Sequence, residues 1–449
     1  MNFETKTAER LLKRAEEKGA SGGDILIVEG DSFEVQVRLG GVEKISSARG
    51  KALGLRLFFG SRSAVTSTSD FSAESLDRLL QDTCTLARLA PEDRSSVGLP
   101  ALEECAKQIP DLQLHDPAAR MLSVKRRIEL AREVEAAALS ADPRINNSEG
   151  GEFSNSESEL LYVSSNGFVG RYPSSIFSLS AVPVAGENGK MQRDHWYSSQ
   201  RRFDRLEPPA EVGRKAAQRV LRRIGARWVK TQNAPVVFDP EMAAGFLGHL
   251  AGALSGYSIY KGASFLTGQL GGEIASSLLT VIDDGTLPGA LGSKPFDAEG
   301  LSTLKSVVIE KGMLKSYLLD RYSGRKLGLP STANAARGVG DAPTVSPTNF
   351  FISPGTSSPE EIVRSVRTGL YVTELIGFGV NLITGDYSRG AAGIWIERGE
   401  LAYPVEEITI AGTLREMLKG IEMVGNDLAL TRRIAAPTLK FSEMTIAGH

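Results

Sequence analysis

The sequence predicts an α+β protein, with a helix-and-sheet first half followed by a strand-rich, Gly-rich second half that has few helices. Three observations carry this. Apolar residues recur at helical spacing in a few bounded segments and at alternate positions in many shorter ones. The chain has 47 glycines, and they crowd the second half between short alternating runs. At about 150 residues per domain, 449 residues imply two or three packed units. The composition shift at Thr231 to Ala234 divides the chain into 1–230 and 231–449, and the first part divides further into 1–95 and 115–230.

The elements follow in order. An opening helix has Ala8, Leu11, Leu12 and Ala15 on one face, supported by a Glu9–Lys13 pair and stopped near Gly19. Phe33, Val35, Val37 and Leu39 alternate up to a hairpin signal at Gly40-Gly41, and Leu53, Leu55, Leu57 and Phe59 alternate up to Gly60-Ser61. A helix from Ser72 buries Leu76, Leu79, Leu80 and Cys84, so Cys84 reads as a small core residue. After proline-containing coil, a helix from Ser123 uses Ile128, Ala131, Val134 and Ala138 and stops at Asp142-Pro143. The run from Asn146 to Val182 alternates around Asn166-Gly167, as long antiparallel strands with one wet face. A basic helix from Ala210 to Ile224 sets Val212, Ala216, Val220 and Ile224 inward; Arg214, Lys215, Arg219, Arg222 and Arg223 read as a solvated outer face.

In the second half, Asp239-Pro240 starts a helix. The charge-free run Met242 to Tyr260 follows; its glycines, His249 and serines make it a buried soluble segment rather than a membrane span. Short strands then turn at glycines, notably at Glu310-Lys311-Gly312. Ser358-Pro359 starts a helix ending near Gly369, and Thr413 with Glu416 makes a capping box for another.

Composition excludes several function classes. Fifty-two Lys and Arg against 54 Asp and Glu leave a net charge of −2, so no global field recruits nucleic acid or an anionic membrane. Two cysteines build neither a disulfide framework nor a thiolate zinc site, and a charged N-terminal MNFETKTAERLL lacks an apolar signal core, so the expectation is a cytoplasmic protein. The four histidines, His115, His195, His249 and His449, sit in no metal-binding spacing; His249 reads as a packed helix residue and His449 as a terminal one. No phosphate loop or hydrolase elbow is present, and the Ser302–Lys305 and Ser323–Lys326 spacings are short enough to arise by chance. Asp283-Asp284-Gly285 reads first as a turn that ends a strand.

What stands out is a series of strings: GASFLTGQLGGEIASSLLTVIDDGT, FDAEG, VVIEKGMLKSYLLD, the N-x-x-R of Asn334 and Arg337, GVNLITGDYSRGAAGIWIERGELAYPVEEITIAG, VGNDL and MTIAG. In this order they resemble the TldD/PmbA family of modulator-of-gyrase and peptidase proteins, densely from Val236 to Gly448 and more loosely before. The resemblance distinguishes two kinds of subunit. The TldD kind carries a metal-binding HExxxH ahead of the glycine-serine step and a C-terminal cysteine ligand. Counted back from Ser264, the two histidine positions fall on Leu247 and Gly252 and the glutamate position on Gly248; no cysteine follows Cys105. These residues neither coordinate nor transfer protons. The chain therefore resembles the PmbA, or TldE, kind.

The resemblance implies a heterodimer in which a TldD-type partner supplies zinc or iron and hydrolyses unfolded peptides, for peptide maturation or antitoxin degradation. This chain would be non-catalytic and without a metal or cofactor of its own and would shape the chamber; whether it homodimerises without the partner is left open by the sequence. Ser264, Phe265, Asn334 and Arg337 are the groove candidates, each with a structural role as the competing reading. Two alternatives stand beside this. One is an autonomous homodimeric hydrolase using Glu273, Asp283 or Asp284; the other is an interaction module in a gyrase-related pathway, acting through the Arg214 to Arg223 face.

Overall fold

The structure, a computed structural model, describes residues 2–96, 98–187 and 189–448; His449 lies outside the described residues. The chain is α+β. Its first half comprises α1 (Asn2–Glu17), β1 (Gly22–Arg38), β2 (Gly41–Phe59), β3 (Arg62–Thr68), α2 (Ala73–Leu89), α3 (Ala118–Met121), α4 (Val124–Leu139), β4 (Ile145–Ser164), β5 (Val169–Glu187), β6 (Lys190–Arg193), β7 (Trp196–Gln200) and α5 (Pro209–Leu221). Seven strands form one antiparallel sheet in the order β3-β2-β1-β4-β5-β6, with β7 also on β5. Ser72 and Ser123 cap α2 and α4 through their side chains, as their positions before apolar-periodic runs predict. α1 and α2 lay their leucines on Ile25, Ile27, Leu53, Leu55 and Leu57, while α4 and α5 cover Val35, Val37, Phe153 and Phe177 farther along the same sheet.

Leu39 does not continue the alternation of β1. It is the first of two loop residues, with φ of 49° before 78° at Gly40, because the strands' right-handed twist favours a two-residue loop with positive φ at both positions. The buried Glu135 carboxylate accepts hydrogen bonds from the Leu39 and Gly40 amides at 2.8 and 2.9 Å, which holds this uncommon leucine conformation.

The second half comprises β8 (Gln232–Phe238), α6 (Pro240–Leu254), α7 (Gly256–Tyr260), β9 (Val281–Asp284), β10 (Lys305–Glu310), β11 (Met313–Leu314), α8 (Arg321–Leu327), β12 (Ala335–Ala336), β13 (Thr344–Val345), β14 (Phe350–Ile352), α9 (Pro359–Arg364), β15 (Thr368–Ile376), β16 (Asp386–Glu397), β17 (Glu400–Thr413), α10 (Leu414–Lys419), β18 (Ile421–Val424), β19 (Ile434–Ala435) and β20 (Leu439–Ala447). One sheet runs β17-β16-β15-β8-β20-β18, and an extra β17–β20 pairing closes it on itself. A second runs β11-β10-β9-β14-β19. The core between them takes the inner face of α6, including Ala243, Phe246, Leu247, Leu250 and Leu254. That is where the charge-free stretch goes. Among the described residues no helix is long and apolar enough to cross a membrane.

Two expectations are corrected. The helix from Ser358 ends at Arg364, and Gly369 already belongs to β15, because Ile362 and Val366 bury the chain before a further turn forms. The outer side of α5 is a solvated basic face only in part: Arg214 is exposed and Lys215 half-buried against Glu207, whereas Arg219, Arg222 and Arg223 are drawn inward. Arg219 is 9% exposed and ion-paired with Asp194, Asp239 and Glu241, and Arg223 pairs with Glu374 of β15. Burial pushes the Arg222 guanidinium down, and Arg219 beside it adds to this. Arg219 and Arg223 thus dock α5 onto the second half.

Candidate functional site

The face of α6 at Leu247, Gly248 and Gly252, where the family resemblance leads one to look for a metal site, has little chemistry on it. Asp239 caps the helix by accepting from the Met242 amide at 2.9 Å, and Pro240 occupies the first turn. The resulting helical phase turns Leu247 fully into the core and leaves Gly248 near Ile434 and Gly252 near Leu382. Between those glycines stands His249. Its Nε2 accepts from the Arg389 guanidinium at 3.3 Å, and its ring meets the Tyr387 ring edge-on at 6.2 Å. Burial first, and Arg389 second, push the imidazole below its usual pKa, so it is neutral at pH 7. Arg389 is fixed in turn by the Leu375 and Ile376 carbonyls. Around this face Ile376 and Ile383 are exposed and Phe378 is fully so.

The four groove candidates are not brought together. Ser264 is buried; its hydroxyl donates to the Ala253 carbonyl at 2.7 Å and accepts from the Leu266 amide, stitching the turn after α7 back onto α6. Phe265 is buried nearby with the Arg415 guanidinium over its ring. Asn334 donates to Asp283 at 2.7 Å inside the second half. Arg337 leaves that half altogether and pairs with Asp24 of β1 at 2.7 Å. All four have structural partners, which accounts for their types without a ligand.

The carboxylates of the hydrolase alternative do not converge either. Asp283 is no turn residue: it lies within β9, accepts from Asn334 and from the Thr348 amide, and has its pKa raised by burial. Asp284 makes the turn, accepting from both the amide and the hydroxyl of Thr286. As strand neighbours the two point to opposite faces, and Glu273 is exposed on another segment.

The charged constellation the sequence reading missed lies where the halves meet. Asp24 is fully buried between Arg56 of β2, bonded through Nε at 2.9 Å, and Arg337, with the Tyr162 hydroxyl donating at 3.2 Å. Burial opposes ionisation, yet the two guanidiniums hold the carboxyl below its usual pKa. The segment bearing Arg337 approaches closely enough that a Cβ on Gly54 would sit 1.7 Å from the Val339 carbonyl oxygen, so only glycine fits there. A signal was present in the sequence: Asp24 opens the run Ile25-Leu26-Ile27-Val28, and a charge leading an apolar strand needs a buried partner.

A seven-stranded antiparallel sheet joined to a closed strand domain with α6 in its core is the architecture of a metallopeptidase-related family. Family models described as the PmbA/TldA metallopeptidase domain 1, central domain and C-terminal domain match residues 23–87, 118–224 and 231–448. Metalloprotease PmbA of Escherichia coli O157:H7 is 39% identical over 96% of this chain and 93% of its own length. A Haemophilus influenzae homologue of it is 34% identical over 96% and 93%. A Bacteroides thetaiotaomicron structure assigned as a modulator of DNA gyrase superposes with a TM-score of 0.92 at 28% identity, covering all of both chains. Thermococcus kodakarensis TldE shares the fold at 0.87 and 22% identity, over 98% of this chain and 99% of that one. The chain belongs to the PmbA/TldD metalloprotease family.

The family implies a metal, and the residues here do not fit one. Among the described residues no three His, Cys, Asp or Glu side chains gather to hold a metal ion. The α6 face offers a buried leucine, two glycines and a histidine against a guanidinium, whose charge repels a divalent cation.

Proposed function

We propose that this chain is the non-catalytic, PmbA/TldE-type subunit of a cytoplasmic TldD/TldE-type heterodimeric protease that acts on unfolded peptides. The zinc or iron and the general base belong to the TldD-type partner. The observation that carries the reading is the α6 face: Leu247, Gly248 and Gly252 replace ligands and base, and Arg389 neutralises the use of His249. Supporting it, the end of β15 and the loop before β16, beside α6, expose Ile376, Phe378 and Ile383, apolar groups suited to covering by a partner or an extended peptide. The family's TldD members include a Buchnera aphidicola homologue 31% identical over 42% of this chain.

The test is metal content and peptide hydrolysis by the purified chain, alone and re-purified with a TldD-type partner. The expected result is neither metal nor turnover alone, and both in the complex. Turnover by the lone chain that survives chelator would reject the reading.

A further inference from the structure

Tyr387 and Arg389 are two apart in β16 and so share the strand face that packs towards α6, where both meet His249. Tyr387 lies beneath, 1% exposed. Arg389 and His249 are half-buried and reach solvent together. Every acceptor of the guanidinium is neutral. The Ile376 carbonyl accepts from Nε at 3.2 Å, the Leu375 carbonyl from Nη2 at 3.3 Å, and the imidazole Nε2 from Nη1 at 3.3 Å. These bonds leave part of the planar fork unused, and among the described residues no carboxylate pairs with it.

The acids near it on these strands are otherwise placed. Asp386 lies on the opposite face of β16 and accepts from the Thr384 hydroxyl, and Glu374 of β15 is held by Arg223. By contrast Arg219, Arg337 and Arg432 each meet a carboxylate of their own. A guanidinium only donates, so Nε2 of His249 must be the acceptor, and the neutral ring carries its proton on Nδ1. The pair therefore presents hydrogens to whatever approaches. Nothing on α6 screens it: Gly245, Gly248 and Gly252 flank His249 at helical spacing, and a Cβ on Gly245 would meet nothing within 4 Å. Beside the pair, Ile376, Phe378 and Ile383 offer exposed apolar surface. An unneutralised guanidinium and an N–H donor in partly dry surroundings match a carboxylate.

We propose that Arg389 and His249 form a carboxylate-binding subsite on the α6 face, which takes an acidic side chain or the C-terminal carboxylate of an extended peptide. Apolar residues next to that carboxylate lie against Ile376, Phe378 and Ile383. The subsite rests on the protease reading for its peptide and deepens it: a subunit without metal ligands or base contributes selection of the substrate by charge.

Calorimetry on the full chain tests it with short N-acetylated peptides of one apolar sequence. One has an internal glutamate and an amidated C-terminus, one has glutamine there and a free C-terminal carboxylate, and one has glutamine and an amide, so carries no charge. At least one charged peptide is expected to bind roughly tenfold or more tighter than the neutral one, and which of them does so distinguishes side-chain from terminal recognition. Arg389→Gln abolishes this advantage, whereas Arg389→Lys, which keeps the charge but loses the planar fork, retains part of it. Because Arg389 also holds two backbone carbonyls, melting midpoints of both variants are compared with that of the parent chain. Gly245→Glu leaves Arg389 in place and sets a carboxylate one helical turn before His249; it weakens the charged peptides several-fold and spares the neutral one. Equal binding of all three peptides, binding of none, or an advantage that survives Arg389→Gln would overturn the proposal. The protease reading is judged separately, by metal and turnover of the re-purified complex. Turnover there without a charge preference in the chain removes the subsite alone, and a charge preference without turnover removes the protease reading alone.

Discussion

The α6 face and the junction between the halves are opposites. On α6, Leu247, Gly248 and Gly252 offer a buried leucine and two glycines beside His249, whose pKa burial first and Arg389 second push down. At the junction, the one carboxylate of Asp24 is buried between the guanidiniums of Arg56 and Arg337, and Asp297 and Glu299 lie close by with raised pKa values. Residue types that suggest catalysis are therefore abundant where they hold two halves together and missing where a reaction would occur. A charged residue inside a protein indicates a site only when its partners leave some of its capacity unused.

The sharpest way to break the contrast is at the junction. Asp24→Ala strands two buried guanidiniums and should cost about 3–5 kcal/mol, read as a lower denaturant midpoint. A loss near zero would mean that Arg56 and Arg337 find other partners and that the halves are held by apolar contacts alone. Next in size, Leu247→His on the α6 face places a polar ring in a dry core position and should cost about 2–4 kcal/mol without metal uptake. Metal binding by that variant would show the face to be more adaptable than its packing implies.

A pH experiment bears on how α5 and α6 are joined. Burial raises the Asp239 carboxyl from 3.8 to about 6, so the folded state binds a proton more tightly than the unfolded one between those values. Stability then falls as pH rises through that window, by roughly 1–3 kcal/mol. Asp239→Asn keeps a capping side chain and should flatten this slope, measured by unfolding at pH 4 and pH 7. An identical slope in the variant would assign the titration elsewhere. The smallest effect on stability is expected from Phe378→Asp, within about 0.5 kcal/mol because the ring is solvated. If a partner covers this face, the same variant should weaken association by roughly tenfold or more in sedimentation or calorimetry; an unchanged affinity would move the interface elsewhere.

Helix starts at Ser72, Ser123, Asp239, Ser358 and Thr413 were legible because capping is local: a side chain two or three residues away satisfies the first amides. The Asn166-Gly167 and Lys311-Gly312 turns were legible for the same reason, as were the α+β class and the motif strings. What the sequence did not disclose was partnership across long separations. Arg219 reads as a surface arginine until Asp194, Asp239 and Glu241 are folded against it, and Arg337 reads as a groove residue until Asp24, 313 positions earlier, is found in its grip. Local order follows from neighbouring residues, whereas burial and ion pairing depend on which distant segments the fold brings within a few ångströms. Tertiary structure alone decided which charges are spent on cohesion.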